Sequence, residues 1–390
     1  MKAELAPGLR CPACRTDGTL ELAATESDGR EVREGTLRCR RCAESFLVRR
    51  GVAELLHDPP PHVLVEAAGL TRFAEQMRLE GWDRAMVRRL PDIENGYWYV
   101  QARSMYQLLS TVRFVPGQTI VDVGSNTCWA ANHFAERGLR VIALDIVTAE
   151  LQGLYTAEYF IDDGQVYFDR VVGSMGAMPL ADSSVDHVFC CEVLHHNDPD
   201  GLRRTFAEAF RVLRPGGRLL MVNETLRTVR DRSGIHTEGV DQFEGYEHAY
   251  WAARYRWEAT RAGFFTDVTE PHYRAFFGDT DLHLETGTPP WRGAAQGVSF
   301  ALRASRAARR AYLMWLNHVW GGVSMNMVAT KPARFVGRHE GIGTAERLAR
   351  LAAAGARVRA GRLLGRPGTP ERLLRTPLEV EAARRAQDRG

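Results

Sequence analysis

The sequence predicts an α/β protein built on a mostly parallel sheet, and three observations carry that expectation. Residues 119–146, TIVDVGSNTCWAANHFAERGLRVIALDI, hold two short apolar runs that each end in an acid, Asp122 and Asp145. Between them lie a turn, Gly124-Ser125-Asn126, and a helical pattern of Trp129, Ala130, Phe134 and Ala135 stopped by Gly138. Strand, tight turn, helix and strand make a βαβ unit; such units build parallel sheets and take ligands at the carboxyl ends of their strands. The second observation is that strand-like runs at 185–191 and 218–222 recur around an amphipathic segment at 202–213. The third is a separate N-terminal stretch carrying four cysteines in two C-x-x-C pairs.

Over 390 residues, 45% hydrophobic and 25% charged, length and composition fit a globular chain with more than one domain. No apolar run reaches the roughly 20 residues of a bilayer span, and MKAELAPGLRCPAC opens without the apolar segment of a secretory signal. A cytoplasmic setting with no membrane partner is therefore expected. The net charge of +3 is too small to argue for a nucleic-acid partner by itself, although arginine accumulates toward the C-terminus.

Cys11-Pro12-Ala13-Cys14 and Cys39-Arg40-Arg41-Cys42 flank two alternating segments broken at Asp28-Gly29, a hairpin signal. In a reducing compartment, paired knuckles of this kind suit metal better than disulfides. Cys11, Cys14, Cys39 and Cys42 can supply four sulfurs to one tetrahedral Zn²⁺, a closed structural site with no position left for catalysis. Two disulfides or four free thiols are the alternatives. A metal would contribute folding energy to a segment too small for a core of its own.

Asp58-Pro59-Pro60-Pro61 is a stiff linker. Residues 62–90 are helical in pattern, with Leu64, Ala68, Phe73, Met77 and Trp82 as apolar anchors and Pro91 as the stop. A second helix is expected at 97–114, closed by Pro116-Gly117, with Tyr97, Trp98 and Tyr99 as ordinary core residues. After the opening unit come a helix at 149–160 and a strand at 166–172. The strand at 185–191 carries Glu192 and His195-His196 at its tip, and Arg214-Pro215-Gly216-Gly217 turns the chain into the strand at 218–222. Residues 223–248 are polar and irregular, which suits a lid. A helix at 249–262, a strand at 264–269, a helix at 300–320 and a last strand at 323–330 follow. Residues 273–298 show no clear pattern, and 333–390 are rich in Arg, Ala and Leu.

Taken in this order, the segments resemble the class I S-adenosylmethionine-dependent methyltransferases, in particular the type 11-like group. VDVGSNT stands at the first motif of that family, ALDI at the second, MPLADSSVDHVFCCEVLHH at the run into the fourth strand and VLRPGGRLLMVNE at the fifth. The resemblance implies a Rossmann-like, mostly parallel, seven-stranded sheet in a domain at 119–332 with an insertion at 273–322. Residues 62–118 become a helical lead-in or cap, and 333–390 a helical or partly disordered tail. CAESFLVRRGVAELL resembles the end of the small zinc-ribbon domain often fused to or partnered with methyltransferases, which makes 1–58 such a ribbon.

A carboxylate at a strand end can accept bonds from vicinal hydroxyls, which assigns Asp145 to the cofactor ribose. Asp122, Gly124, Ser125 and Asn126 are placed beside its amino-acid part, at the N-terminus of a helix begun by Trp129, where a carboxylate is favoured. Gly176, Ala177 and Met178 are placed against adenine, and Ile146 completes the set. A dinucleotide-binding unit would need G-x-G-x-x-G, of which this turn supplies Gly124 alone. Asn126 and Cys128 replace the second and third family glycines; Asn tolerates left-handed backbone, whereas Cys128 adds a Cβ where backbone normally approaches ligand. Ser174 stands where the family often has an acid for the adenine amino group.

Transfer of a methyl group needs alignment and exclusion of water, and a nucleophile that carries a proton also gains from a general base. His195 and His196 are the expected candidates, with Glu192 orienting one of them or binding substrate. The alternative is that one histidine packs structurally while the other caps the next helix. His236, Glu247 and His248 form a second tier, and Cys190 and Cys191 are expected in the core. Three readings of the acceptor stand: an O or N atom of a small molecule such as a sugar or secondary metabolite; ribosomal RNA, with the arginine-rich tail on phosphate; or none, in a binding or scaffold protein.

Overall fold

The computed structural model describes residues 1–93, 96–109, 111–162, 166–230, 248–272 and 324–332, with 311, 315, 318 and 319 standing apart. Most of the expected lid, with His236 and Glu247, lies outside the described residues, as do nearly all of 273–322 and the tail. At the N-terminus the alternating segments pair antiparallel as β1 (Leu20–Ser27) and β2 (Val32–Cys39), followed by β3 (Ser45–Arg49) and β4 (Val52–Glu54). The linker prolines then start α1 (Pro61–Leu79), where a proline at the first position loses no hydrogen bond. The continuous helix expected over 62–90 is divided. Gly81 takes φ +87 and Asp83 caps a new helix, α2 (Arg84–Arg88), by accepting from the amide of Met86. Helix α3 (Gly96–Leu109) ends five residues earlier than the sequence pattern, at 109 rather than 114.

The acid-tipped runs form β5 (Thr119–Val123) and β6 (Arg140–Asp145) around α4 (Trp129–Glu136). Every residue of β5 is buried, as a central parallel strand covered on both faces requires. The helix expected at 149–160 is a tight excursion instead, a 3₁₀ turn at Leu154–Ala157 and one turn of helix, α5 (Glu158–Ile161). Gly153 permits it, because a Cβ there would stand 2.7 Å from Ala149 N and Val147 O. Next come β7 (Asp169–Val172), β8 (Val185–Cys191), α6 (Pro199–Val212) and β9 (Leu213–Thr225). The last is longer than expected because Arg214-Pro215-Gly216-Gly217 bulges out between two paired stretches, Leu213 against Val185 and Arg218 against His187. Helix α7 (Ala252–Ala262) stops at left-handed Gly263, and β10 (Phe265–His272) and β11 (Ser324–Thr330) close the sheet.

All strands among the described residues belong to one sheet of order β1-β2-β3-β4-β7-β6-β5-β8-β9-β11-β10. The last seven positions are the expected mostly parallel sheet, with only β11 reversed, antiparallel to both β9 and β10. The N-terminal hairpins are not set apart from it. Strand β4 pairs parallel with β7, so the ribbon segment continues the sheet. Below this junction the Glu31 carboxylate receives Arg170 Nη2, and both side chains are at most 1% exposed. Tyr167 Oη donates to the same carboxylate at 3.1 Å, and Gly51 lacks a side chain that would otherwise enter this pair. No described helix is long and apolar enough to cross a membrane.

Arg170 Nε and Nη1 find no other partner. Glu31→Gln is therefore expected to cost about 3 kcal/mol, because breaking one side of a buried pair leaves the other charge unpaired. The midpoint of denaturant unfolding measures it, and adding Arg170→Met should recover part of the loss.

Candidate cofactor cavity at the strand tips

The turn after β5 is fixed by backbone conformation. Gly124 has φ +68 and lies where a Cβ would run into Val193 Cγ2. Asn126 has φ 46, the left-handed form asparagine tolerates, and Cys128 follows at φ 58. The expected obstruction by Cys128 does not arise. Its side chain is fully buried in the apolar cluster around α4 and does not line the cavity described below.

Asp145, at the tip of β6, holds this turn. Its Oδ2 accepts from Asn126 N at 2.8 Å, and its Oδ1 from Ile146 N at 2.7 Å and Val147 N at 3.1 Å. Asp122 accepts from Ser125 Oγ at 2.7 Å. Burial pushes both carboxyls up, Asp122 to about 7 and Asp145 to about 6, against hydrogen bonds that favour the charged forms. Asn126 Oδ1 and Thr127 Oγ1 are buried beside them without a partner. On the facing wall Ser174 Oγ accepts from Gly176 N at 3.2 Å and Met178 N donates to Glu208 at 2.8 Å, so Ser174 serves its own loop.

A cavity of about 530 Å³ opens between these walls. Asp122, Gly124, Ser125, Asn126, Trp129, Asp145, Ile146, Gly176, Ala177 and Met178 all line it. Trp98, expected in the core, lines it too and packs edge-on against Trp129 with ring centroids 6.3 Å apart. Of the two cysteines expected in the core, Cys190 is buried there and Cys191 reaches the cavity.

The three acid–base candidates separate. Glu192 lines the cavity in a left-handed conformation, φ 53, and receives Gln101 Nε2 at 2.6 Å and Asn223 Nδ2. His196 also lines it, with Nδ1 3.3 Å from Glu66 Oε1. His195 does not line it; its Nδ1 is 3.3 Å from Glu224 Oε2, and its carbonyl accepts from His248 N at 2.7 Å. Glu224 also accepts from Val193 N and Leu194 N, each at 3.0 Å, so this pair builds the strand tip. Burial, with His195 adding to it, holds the His196 imidazole well below its usual range and hence neutral. Glu66, Gln101, Asn223 and Glu224 were not expected here. The signal for Glu66 was an acid on an otherwise apolar helix face.

The four N-terminal thiols meet as one cluster, all sulfurs within 4.8 Å of one another, with Cys11–Cys42 at 3.7 Å and Cys14–Cys39 at 3.6 Å. A tetrahedron with metal–sulfur bonds of about 2.3 Å has edges near 3.8 Å, so the donor set fits a tetrahedral thiophilic ion.

Asp122 gives a pH test. Below its ordinary value of 3.8 the carboxyl is protonated whether folded or not; between there and about 7 only the folded chain keeps the proton. Stability of the ligand-free protein should therefore fall across that window, by about 4 kcal/mol from this group, with Asp145 adding a smaller fall. In thermal melts at pH 8, Asp122→Asn is expected to exceed the wild type, the two converging near pH 4.

Residues 121–221 match the family described as a methyltransferase domain. A demethylmenaquinone methyltransferase of Renibacterium salmoninarum is 31% identical over 132 residues, 34% of this chain and 52% of that protein. An uncharacterized methyltransferase of Mycobacterium bovis is 35% identical over 120 residues, 30% of this chain and 45% of its own length. The chain thus spans about half the length of the curated relatives it matches. Among solved structures, a Haemonchus contortus N-methyltransferase aligns with TM-score 0.43 and 16% identity over 67% of this chain and 60% of that one. Residues 121–221 of this protein are thus similar to a methyltransferase domain, set in a sheet that a four-cysteine N-terminal segment prolongs.

Proposed function

We propose that the protein moves a methyl group from S-adenosylmethionine to an O or N atom of a small molecule, and that its four N-terminal cysteines hold one structural Zn²⁺. The observation that carries the reading is convergence. Acids from two adjacent strand tips, a left-handed turn and the 174–178 loop enclose one cavity, and Glu192 and His196 stand in the same cavity. When bound, the cofactor supplies an electrophilic methyl group on a sulfonium, which leaves as a neutral thioether.

The chain's own residues do the rest. Asp145, already oriented by three amides, keeps a lone pair of Oδ2 for a hydroxyl of the ribose. Asp122 and the unpartnered Oδ1 of Asn126 are acceptors suited to an ammonium group. The backbone at Gly176–Met178 offers a flat wall to adenine. Neutral His196 is able to take a proton from an acceptor, and the cover of α1 and α3 keeps water from the reacting atoms. A cavity roofed by helices, rather than an open basic groove, supports a small acceptor over RNA.

Calorimetric titration with S-adenosylmethionine tests the cofactor. The wild type should bind, and Asp145→Ala should weaken binding on the order of 100-fold through loss of a charge-assisted bond and of the carboxylate that fixes the turn; equal affinities would sink the assignment. Protein purified under reducing conditions should carry roughly one zinc per chain, and Cys39→Ser should lose it and lower the melting temperature. Metal-free wild type would count decisively against the ribbon. Labelled-methyl transfer into fractionated extract should mark the small-molecule fraction rather than RNA or protein.

A further inference from the structure

The first cysteine knuckle and the strand-tip cavity share a wall. Arg10, Cys11, Pro12 and Arg15 all line the cavity, and Cys11, one of the four clustered thiols, is fully buried. All four precede the segment that matches the methyltransferase domain family. Backbone joins the knuckle to the loop that ends the opposite wall. Arg10 N donates to Pro179 O at 3.1 Å and Ala181 N to Gly8 O at 2.9 Å, with the fully buried Leu9 and Leu180 facing each other across an antiparallel bridge. Asp182 N donates to Asp17 Oδ2 at 3.0 Å, and Arg10 Nη1 to Asp182 Oδ1 at 2.7 Å. From its other side α6 grips the same loop, as Arg211 donates to Leu180 O at 2.7 Å and to Met178 O at 2.8 Å.

We propose that the first knuckle is a working wall of the cofactor site, and that metal held by the four thiols raises the affinity for S-adenosylmethionine by fixing that wall. The inference rests on the zinc and cofactor readings above and couples the two sites. Its physical basis is local. Arg15 and Ala43, each one residue past a C-x-x-C pair, have left-handed backbone, φ 53 and φ 62, which costs free energy for a residue with a Cβ. Metal–sulfur bonds hold such turns far more firmly than the thiol contacts at 3.6 and 3.7 Å.

The rest of the N-terminal segment is anchored without metal. Strand β4 pairs with β7, and Glu31 receives Arg170 in the buried junction below it. Loss of metal is therefore felt at the knuckle end, and it passes through the bridge at Leu9 and Leu180 to the loop at 176–182, where Gly176, Ala177 and Met178 line the cavity. An element that two ligands both favour in one arrangement couples them, and the coupling is reciprocal: each raises the other's affinity by the same factor.

The test uses the full chain under reducing conditions, zinc-loaded and after removal of zinc with EDTA, and S-adenosylhomocysteine as the probe. By calorimetry the metal-free chain should bind the probe about tenfold more weakly, and saturating probe should raise zinc affinity, read by competition with EDTA, by the same factor. Hydrogen exchange followed by mass spectrometry locates the effect. Zinc removal should cut protection at 8–18 and 177–182 together and leave β5 and β8 as protected as before. Asp17→Ala, which deletes the acceptor of Asp182 N without touching a thiol or the cavity lining, should keep its zinc and bind the probe about threefold more weakly, the worth of one exposed hydrogen bond. Equal probe affinity with and without zinc, or unchanged protection at 177–182, overturns the proposal. Loss of protection across β5 and β8 overturns it too, because the metal then holds the whole fold rather than this wall. A wild type that binds no S-adenosylhomocysteine overturns the cofactor reading instead, and one purified without metal the zinc reading.

Discussion

Three amides converge on one carboxylate. Asp145 joins the turn after β5 to the tip of β6 by accepting from Asn126, Ile146 and Val147, and the cavity's shape depends on that junction. Gly124 and Asn126 keep their left-handed conformations within it, and Trp129 starts α4 where the turn delivers it. The carboxylate is buried, so its charge is costly unless the amides and an incoming ligand share it. Holding the turn and lining the cavity thus fall on the same residue.

Much of this was legible in local pattern. An apolar run ending in an acid, a short turn and an amphipathic helix encode their geometry within about 25 residues of chain, and the seven residues drawn from that pattern, between Asp122 and Ile146, line one cavity. Asn126 took the left-handed conformation its side chain tolerates. What was not legible depended on which of two local conformations wins. The side-chain direction of Cys128 follows from the φ of its own residue, and the division of the 62–90 helix from Asp83 offering a better cap than a continued turn. The 149–160 pattern is helical in hydrophobicity, yet Gly153 lets the chain collapse onto Val147 and Ala149.

The histidine pair shows the same limit at the site itself. Adjacent residues on a strand tip look equivalent in sequence, but a 3₁₀ turn at Leu194–His196 sends one behind the sheet and the other toward the cavity. The acids nearest their Nδ1 atoms come from chain positions 29 and 130 residues away, Glu224 and Glu66 respectively. No spacing rule connects such pairs; only the packing of α1 over the strand tips does.

The parallel pairing of three-residue β4 with β7 has a consequence for how the protein can be handled and how its parts evolve. Cutting the chain at the proline linker would bare the whole edge of β7, with the Arg170 guanidinium exposed beside it and the amide of Leu55 no longer meeting Val172 O at 2.9 Å. An open, flat parallel edge of that kind recruits other chains. A shortened catalytic half would therefore tend to self-associate, and the cysteine segment acts as a permanent edge guard whose loss selection would register as insolubility before any loss of chemistry.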